Sequence, residues 1–354
     1  MDIKITRAAT TGTRPKDSEL GFGTVFTDHM FVMDYTEGQG WHDARIEPFA
    51  DFSLSPAAMV FHYGQAIFEG LKAYKTPEGK IQFFRARDNY ARLNRSAKGL
   101  CIPEVDVDFV MDAMKKLVKL EENWIPETLG TSLYVRPFII ATDPFLGVRS
   151  SYTFKFFIIL SSVGAYYAEG FNPVKIWVEK EHVRAVKGGV GEYKTAGNYA
   201  ASLFAGEDAK HAGYAQVLWL DGVERKYIEE VGAMNIFFVI DGKLVTPELN
   251  GSILPGITRY SVLDMAKAWG MDVEERKVSI DELMAAHEAG TLTEAFGSGT
   301  AAVISPVGEI RYDDKVMNIG DGKPGEMAMK FYDALTAIQY GKAEDTMNWI
   351  EVVD

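Results

Sequence analysis

The sequence predicts a mixed α/β (α+β) protein built as two domains, and three observations carry that expectation. The chain has 354 residues, more than one hydrophobic core usually serves. Apolar strand-like runs and helix-like periodic stretches are mixed from end to end, with no internal repeat and no low-complexity tract. The pattern breaks in Gly-Ala-Tyr-Tyr-Ala-Glu-Gly-Phe-Asn-Pro, residues 164–173, a run rich in turn formers. Residues 1–165 are therefore assigned to a smaller N-terminal domain, 166–175 to a linker and 176–354 to a larger C-terminal domain.

In the first half, residues 88–93 read as the opening turns of a helix. Between Asp106 and Trp124 the residues Phe109, Val110, Ala113, Leu117 and Leu120 fall on one helical face. Residues 132–141 and 153–161 read as apolar strands. The second half opens with a strand at 174–181, followed by strands at 216–220 and 235–240. Asp241-Gly242 after the last of these signals a hairpin. Three helices carry stop signals. Residues 258–269 end at Gly270, 279–289 at Gly290 and 326–340 at Gly341. Ser279 and Glu282 form a capping-box pattern.

Composition excludes several roles. Lys and Arg number 37 against 50 Asp and Glu, a formal net charge of −13. A chain that acidic is repelled by nucleic acid and by anionic lipid. The lone Cys101 cannot form an intrachain disulfide, and its apolar neighbours suggest a packed thiol. The polar start and the short apolar runs offer neither a signal core nor a membrane span. A cytoplasmic protein is expected. The six histidines lack zinc-site spacing, and no G-x-S-x-G elbow occurs. No metal is expected.

Several short segments could carry chemistry. Gly188-Gly189-Val190-Gly191-Glu192-Tyr193-Lys194-Thr195 places glycines around a lysine. A phosphate-binding P-loop needs Gly directly before Lys, and Tyr193 stands there instead. On local sequence alone a glycine-rich surface turn is the simpler reading. The sharper one is an amine nucleophile, which must lose its proton from a free pKa of ~10.4. Glu230 precedes Val231-Gly232 just ahead of an apolar strand. It is either a charged edge residue or a carboxylate aimed at a ring nitrogen. Leu254-Pro255-Gly256-Ile257-Thr258-Arg259 opens a helix, where backbone N–H groups favour a phosphate. Phe296-Gly297-Ser298-Gly299-Thr300-Ala301 is a simple turn or a nest for a carboxylate. In Tyr134-Val135-Arg136-Pro137, alternation puts Tyr134 and Arg136 on one face of a strand. Arg136 is either in a surface ion pair or a bidentate carboxylate ligand. Local sequence does not separate Arg92 from Arg87 or Arg95.

Taken in order, six segments resemble the branched-chain amino-acid aminotransferases among the class IV aminotransferases. They are Phe-Glu-Gly-Leu-Lys-Ala-Tyr (68–74), Ser-Leu-Tyr-Val-Arg-Pro (132–137), Gly-Gly-Val-Gly-Glu-Tyr-Lys (188–194), Glu-Val-Gly-Ala-Met-Asn (230–235), Leu-Pro-Gly-Ile-Thr-Arg (254–259) and Phe-Gly-Ser-Gly-Thr-Ala (296–301). The similarity runs from about Phe22 to Tyr340. It implies a two-domain fold with pyridoxal 5'-phosphate between the domains, held mainly by the C-terminal one, usually in a homodimer. The implied substrates are branched-chain L-amino acids and their 2-oxo acids, exchanged with 2-oxoglutarate and L-glutamate.

By the same resemblance, Lys194 is the Schiff-base lysine and proton shuttle, and Glu230 faces the pyridine nitrogen. Tyr199 bonds the cofactor's phenolic oxygen, and Arg92 grips its phosphate with the N–H groups of Ile257 and Thr258. Thr300 and Ala301 meet the substrate α-carboxylate, with Thr300 also near the cofactor. Phe22, Tyr63, Tyr134 and Tyr166 wall the side-chain pocket, Arg136 receives the distal carboxylate of glutamate, and Val148 comes from the partner subunit. Ala233 stands where close relatives often carry a hydroxyl residue. Ala302 and Ser305 stand where some relatives carry a Cys-x-x-Cys pair, so that form of redox control is not expected. The nearest rivals are D-amino-acid aminotransferases and aminodeoxychorismate lyases, which would share Lys194 and Glu230. A non-enzymatic small-anion binder is the rival from another class.

Overall fold

The structure, a computed structural model, describes residues 1–164 and 171–353. Two compact units form. One comprises 1–166, 193–196 and 337–354, and the other 167–192 and 197–336. The chain's last strand, Ile350–Val353, pairs antiparallel with Ile81–Phe84 in the first unit. A division along the sequence does not reveal that return, because strand pairing here joins residues hundreds of positions apart. Likewise 174 and 175, drawn as linker, already belong to the strand Val174–Glu179.

The first unit is a nine-stranded sheet. Its central strands are Thr153–Val163, Ser132–Ala141 and Leu71–Lys75, paired in that order and antiparallel. Ser132–Ala141 alternates as expected. Leu133, Val135, Ile139 and Ala141 are buried, while Tyr134, Arg136, Phe138 and Ile140 on the other face are half-buried. The buried face packs against two helices, Ala86–Gly99 and Val107–Leu120. The second helix starts where Asp106 accepts hydrogen bonds from the N–H groups of Asp108 and Phe109, an N-cap. Its core side contains Val110, Met111, Ala113, Met114, Leu117 and Val118.

The second unit is also a nine-stranded sheet, with mixed pairing. Strand pairing runs Ile228–Val231, Gln216–Leu220, Val174–Glu179, Val303–Tyr312, Leu292–Gly299 and Met234–Ile240. Met234–Ile240 then pairs back onto Ile228–Val231, so these strands close into a barrel, which leaves no free edges along the circuit. The Asp241-Gly242 hairpin is present. Ile240 pairs with Lys243, and both turn residues have positive φ, 51° and 75°. That is the type I′ geometry whose twist suits a two-residue hairpin. Three of its helices run Ile257–Ala268, Ile280–Glu288 and Glu326–Gln339. Ser279 caps the middle one, its Oγ accepting from Glu282 N at 3.0 Å. Among the described residues no helix is long and apolar enough to cross a membrane.

Candidate active site

Within the first unit, the lysine segment is fastened at three points. Phe68 N donates to Lys194 O at 3.1 Å, Lys194 N donates to Ser96 Oγ at 2.9 Å, and Thr195 Oγ1 donates to Ala66 O at 2.8 Å. Residues 193–196 thus lie along the short strand Ala66–Phe68 as an antiparallel bridge. Lys194 is half-buried, and its amine sits 4.9 Å from the centre of the Phe68 ring. Here its backbone is fixed before any ligand arrives.

The next residue, Glu69, is fully buried. Its two oxygens take Arg92 Nε at 2.7 Å and Nη2 at 2.9 Å, a bidentate pair. Asn89 Nδ2 adds a bond at 2.9 Å. Burial pushes the Glu69 carboxyl up, but the Arg92 guanidinium, Lys194 and Asn89 outweigh it and hold it below the ordinary range. Arg92 is buried at 6% exposure, whereas Arg87 is half exposed in ion pairs with Asp108 and Glu351, and Arg95 is exposed. Structure therefore separates three arginines that local sequence did not.

Tyr134 and Arg136 share a face, and Arg136 Nη2 donates to Tyr134 Oη at 3.1 Å. The guanidinium also stacks over the rings of Phe68 at 4.7 Å and Tyr134 at 5.2 Å. Phe22 meets Tyr134 edge-on at 5.1 Å between ring centres. Tyr63 is 40% exposed and donates its hydroxyl to Leu146 O. Val148, in the same loop as Leu146, is 88% exposed. Tyr166 lies outside the described residues. Cys101 corrects an expectation. It is exposed, not packed, because it sits at φ 54° just past the helix Ala86–Gly99, and Ile102 takes the core position instead. A separate open cleft of about 470 Å³ along Lys75–Gly79 holds none of the motif residues assigned above.

Within the second unit, Glu230 is buried at 3% exposure. Its Oε2 lies 2.9 Å from Arg184 Nε, but that N–H is not aimed along a hydrogen bond, so the contact is an ion pair. Its Oε1 accepts from Leu254 N at 2.8 Å. Asn235, opposite Glu230 in register, donates to Leu254 O at 2.9 Å. Acid and helix entrance are thereby tied together. The helix Ile257–Ala268 has Gly256 at its N-cap and no side-chain cap. A Cβ on Gly256 would meet Asn235 Oδ1 at 2.1 Å, so no capping side chain fits there. The uncapped N–H groups and helix dipole form a seat suited to a phosphate.

Tyr199 is half-buried in the helix Ala196–Ala201. Thr300 and Ala301 are half-buried in the turn joining Leu292–Gly299 to Val303–Tyr312. Just before that turn, Ser298 Oγ is buried without a partner among the described residues. Ala233 is exposed in the turn between paired Val231 and Met234. Sequence reasoning missed Glu69, Arg184 and Ser298. Glu69 and Ser298 lie inside the motif segments 68–74 and 296–301, while nothing local marks Arg184.

Residues 66–310 match the family described as Amino-transferase class IV. The chain is 57% identical over 347 residues to branched-chain-amino-acid aminotransferase 2 of Bacillus subtilis (strain 168), covering 98% of this chain and 96% of that protein. The chain belongs to the class IV aminotransferases. Within them it is a member of the branched-chain-amino-acid aminotransferase family. A branched-chain-amino-acid aminotransferase of Mycolicibacterium smegmatis is 49% identical over 93% of this chain and 91% of its own length. Among solved structures, the Escherichia coli branched-chain amino acid aminotransferase superposes with a TM-score of 0.73 at 27% identity, covering 92% of this chain and 99% of that one. The Thermobaculum terrenum enzyme in its PLP-form gives 0.74 at 26% identity, covering 92% and 98%. Class IV aminotransferases depend on pyridoxal phosphate, and the residues here suit it. The second unit has a buried acid and an uncapped helix N-terminus, and the first has a fastened lysine.

Proposed function

We propose that this protein is a branched-chain-amino-acid transaminase, exchanging the amino group of leucine, isoleucine or valine with 2-oxoglutarate to give 2-oxo acids and L-glutamate. The observation that carries this reading is Lys194. Its backbone is pinned on both sides, and its amine rests against Phe68 beside the buried Glu69–Arg92 pair. The names of the similar proteins support the substrate class. When bound, pyridoxal phosphate supplies an electron sink for the substrate's Cα.

In this reading Lys194 Nζ holds the cofactor and moves the proton from the substrate's Cα. Arg92 and the N–H groups of Ile257 and Thr258 bind the phosphate, Tyr199 the phenolic oxygen and Glu230 the ring nitrogen. Thr300 and Ala301 orient the α-carboxylate. Phe22, Tyr63, Tyr134 and Tyr166 line the side-chain pocket, and Arg136 takes glutamate's distal carboxylate. An apolar wall discriminates weakly between aliphatic side chains, whereas a charge needs its partner. We also assign a cytoplasmic homodimer, in which Val148 reaches the partner's pocket. The dimer is supported by the exposed apolar side chains of Phe61, Leu146 and Val148, which a second copy would cover.

The test is transamination of L-leucine with 2-oxoglutarate. Lys194→Ala is expected to lower the rate at least about a thousandfold while the melting temperature holds. A near-normal rate would remove Lys194 from the chemistry.

A further inference from the structure

The sheet face that carries Tyr134 and Arg136 carries another cation. Lys72 lies opposite Tyr134 in the antiparallel register, and Ser161 lies opposite Tyr134 on the other side. Directly opposed residues share a face with Cβ atoms about 4.5–5.5 Å apart, and diagonal neighbours stand about 7–8 Å apart. Lys72, Tyr134 and Ser161 therefore make a row across three strands. Ser132 and Arg136 flank Tyr134 on the same face, two residues either way. Leu71, Ala73, Leu133 and Val135 point to the core on the opposite face.

The polar groups around the half-buried Tyr134 are themselves buried. Lys72 is 8% exposed, Ser132 1% and Ser161 5%. The hydroxyls of both serines and Arg136 Nε are buried with no hydrogen-bond partner among the described residues. Each such group forfeits its hydrogen bonds to water without replacement, and folded proteins keep few of them. Burial also brings the Lys72 amine down to about 8, so it remains mostly an ammonium ion at neutral pH. A pocket made only for aliphatic side chains needs none of these groups. A carboxylate suits the two serine hydroxyls and Arg136 Nε, and it also accepts from an ammonium on the same face.

We propose that Lys72 is a second cation for the side-chain carboxylate of the acidic substrate, sharing it diagonally with Arg136. This rests on the reading of Arg136 given above and deepens it. Arg136 supplies a planar fork, Lys72 a point charge from the neighbouring strand, and Ser132 and Ser161 supply hydroxyls that rotate to meet either oxygen. An aliphatic substrate gains nothing from Lys72, so the residue favours the dicarboxylate specifically.

The experiment measures equilibrium binding to the holoenzyme by calorimetry. One probe is glutarate, a dicarboxylate, and the other is 4-methylvalerate, which ends in the leucine side chain. Neither carries an amino or oxo group to react. Lys72→Met is expected to weaken glutarate about tenfold or more, as loss of one charged partner does, and to leave 4-methylvalerate within about twofold. Lys72→Arg retains the charge and most of the glutarate affinity. Arg136→Met serves as the comparison. Loss of glutarate binding in Arg136→Met but not in Lys72→Met overturns the inference and leaves the Arg136 reading intact. No change in either variant overturns both. If Lys72→Met does not fold, Lys72→Gln is judged by the same criteria.

Discussion

Each unit buries one carboxylate against one arginine, and the two pairs are built differently. Glu69 grips Arg92 with both oxygens and has Asn89 behind it. There the carboxylate aligns the guanidinium. In the other unit Glu230 touches Arg184 through one oxygen and takes the Leu254 N–H with the other, while Arg184 also donates to the carbonyls of Gly191 and Ser252. There the arginine and the backbone hold the carboxylate. A buried ion pair is poor evidence for stability, but its geometry tells which partner is being held for use. The first unit presents cations, namely Lys194, Arg92, Arg136 and Lys72. The second presents an acid and backbone N–H groups.

The contrast can be broken most directly at the two acids. Glu69→Ala strands the Arg92 charge in a buried site and is expected to cost roughly 3–5 kcal/mol, read by urea unfolding. Glu230→Gln leaves Arg184 its two carbonyls, so a smaller loss of about 1–3 kcal/mol is expected. Equal losses would erase the distinction between the pairs.

Lys72 sharpens it through pH. Its folded value of about 8 lies below the ordinary 10.5, so between those values the unfolded chain binds more protons. Stability gained from this group is therefore absent below pH 8 and rises as pH climbs towards 10.5. Lys72→Met removes the penalty. The variant is expected to be more stable at about pH 7 by roughly 2–3 kcal/mol, with the gap closing by about pH 10. A pH-independent gap would mean that the amine is not desolvated.

The smallest effect separates two helix entrances of the second unit. Ser279→Ala removes a cap and is expected to cost about 1 kcal/mol, with or without inorganic phosphate. At Gly256 no side chain caps the helix, so phosphate should raise the melting temperature of both proteins equally.

Much of this was legible in sequence because it is local. Alternation in 132–141 placed Tyr134 and Arg136 together, Asp241-Gly242 marked a hairpin, and Ser279 marked a helix start. The six ordered segments brought Lys194 and Glu230 into one reading. What was not legible depends on distant pairing. The barrel closes through Glu230 opposite Asn235, and the chain's last strand returns to Ile81–Phe84. Arg184 becomes meaningful only once folding puts it beside Glu230. Lys72 was visible in its motif, but its burial and its place across from Tyr134 were not. Cys101 misled because apolar neighbours do not reveal a left-handed turn that points a thiol outward.

The central question is whether Lys194 serves a cofactor that reacts with branched-chain L-amino acids. The direct measurement is the visible absorption of the purified protein, reconstituted with pyridoxal phosphate, before and after L-leucine, with D-alanine as the control. A yellow band that collapses with L-leucine and persists with D-alanine is the expected result. Collapse with D-alanine alone, or no band after reconstitution, would contradict it.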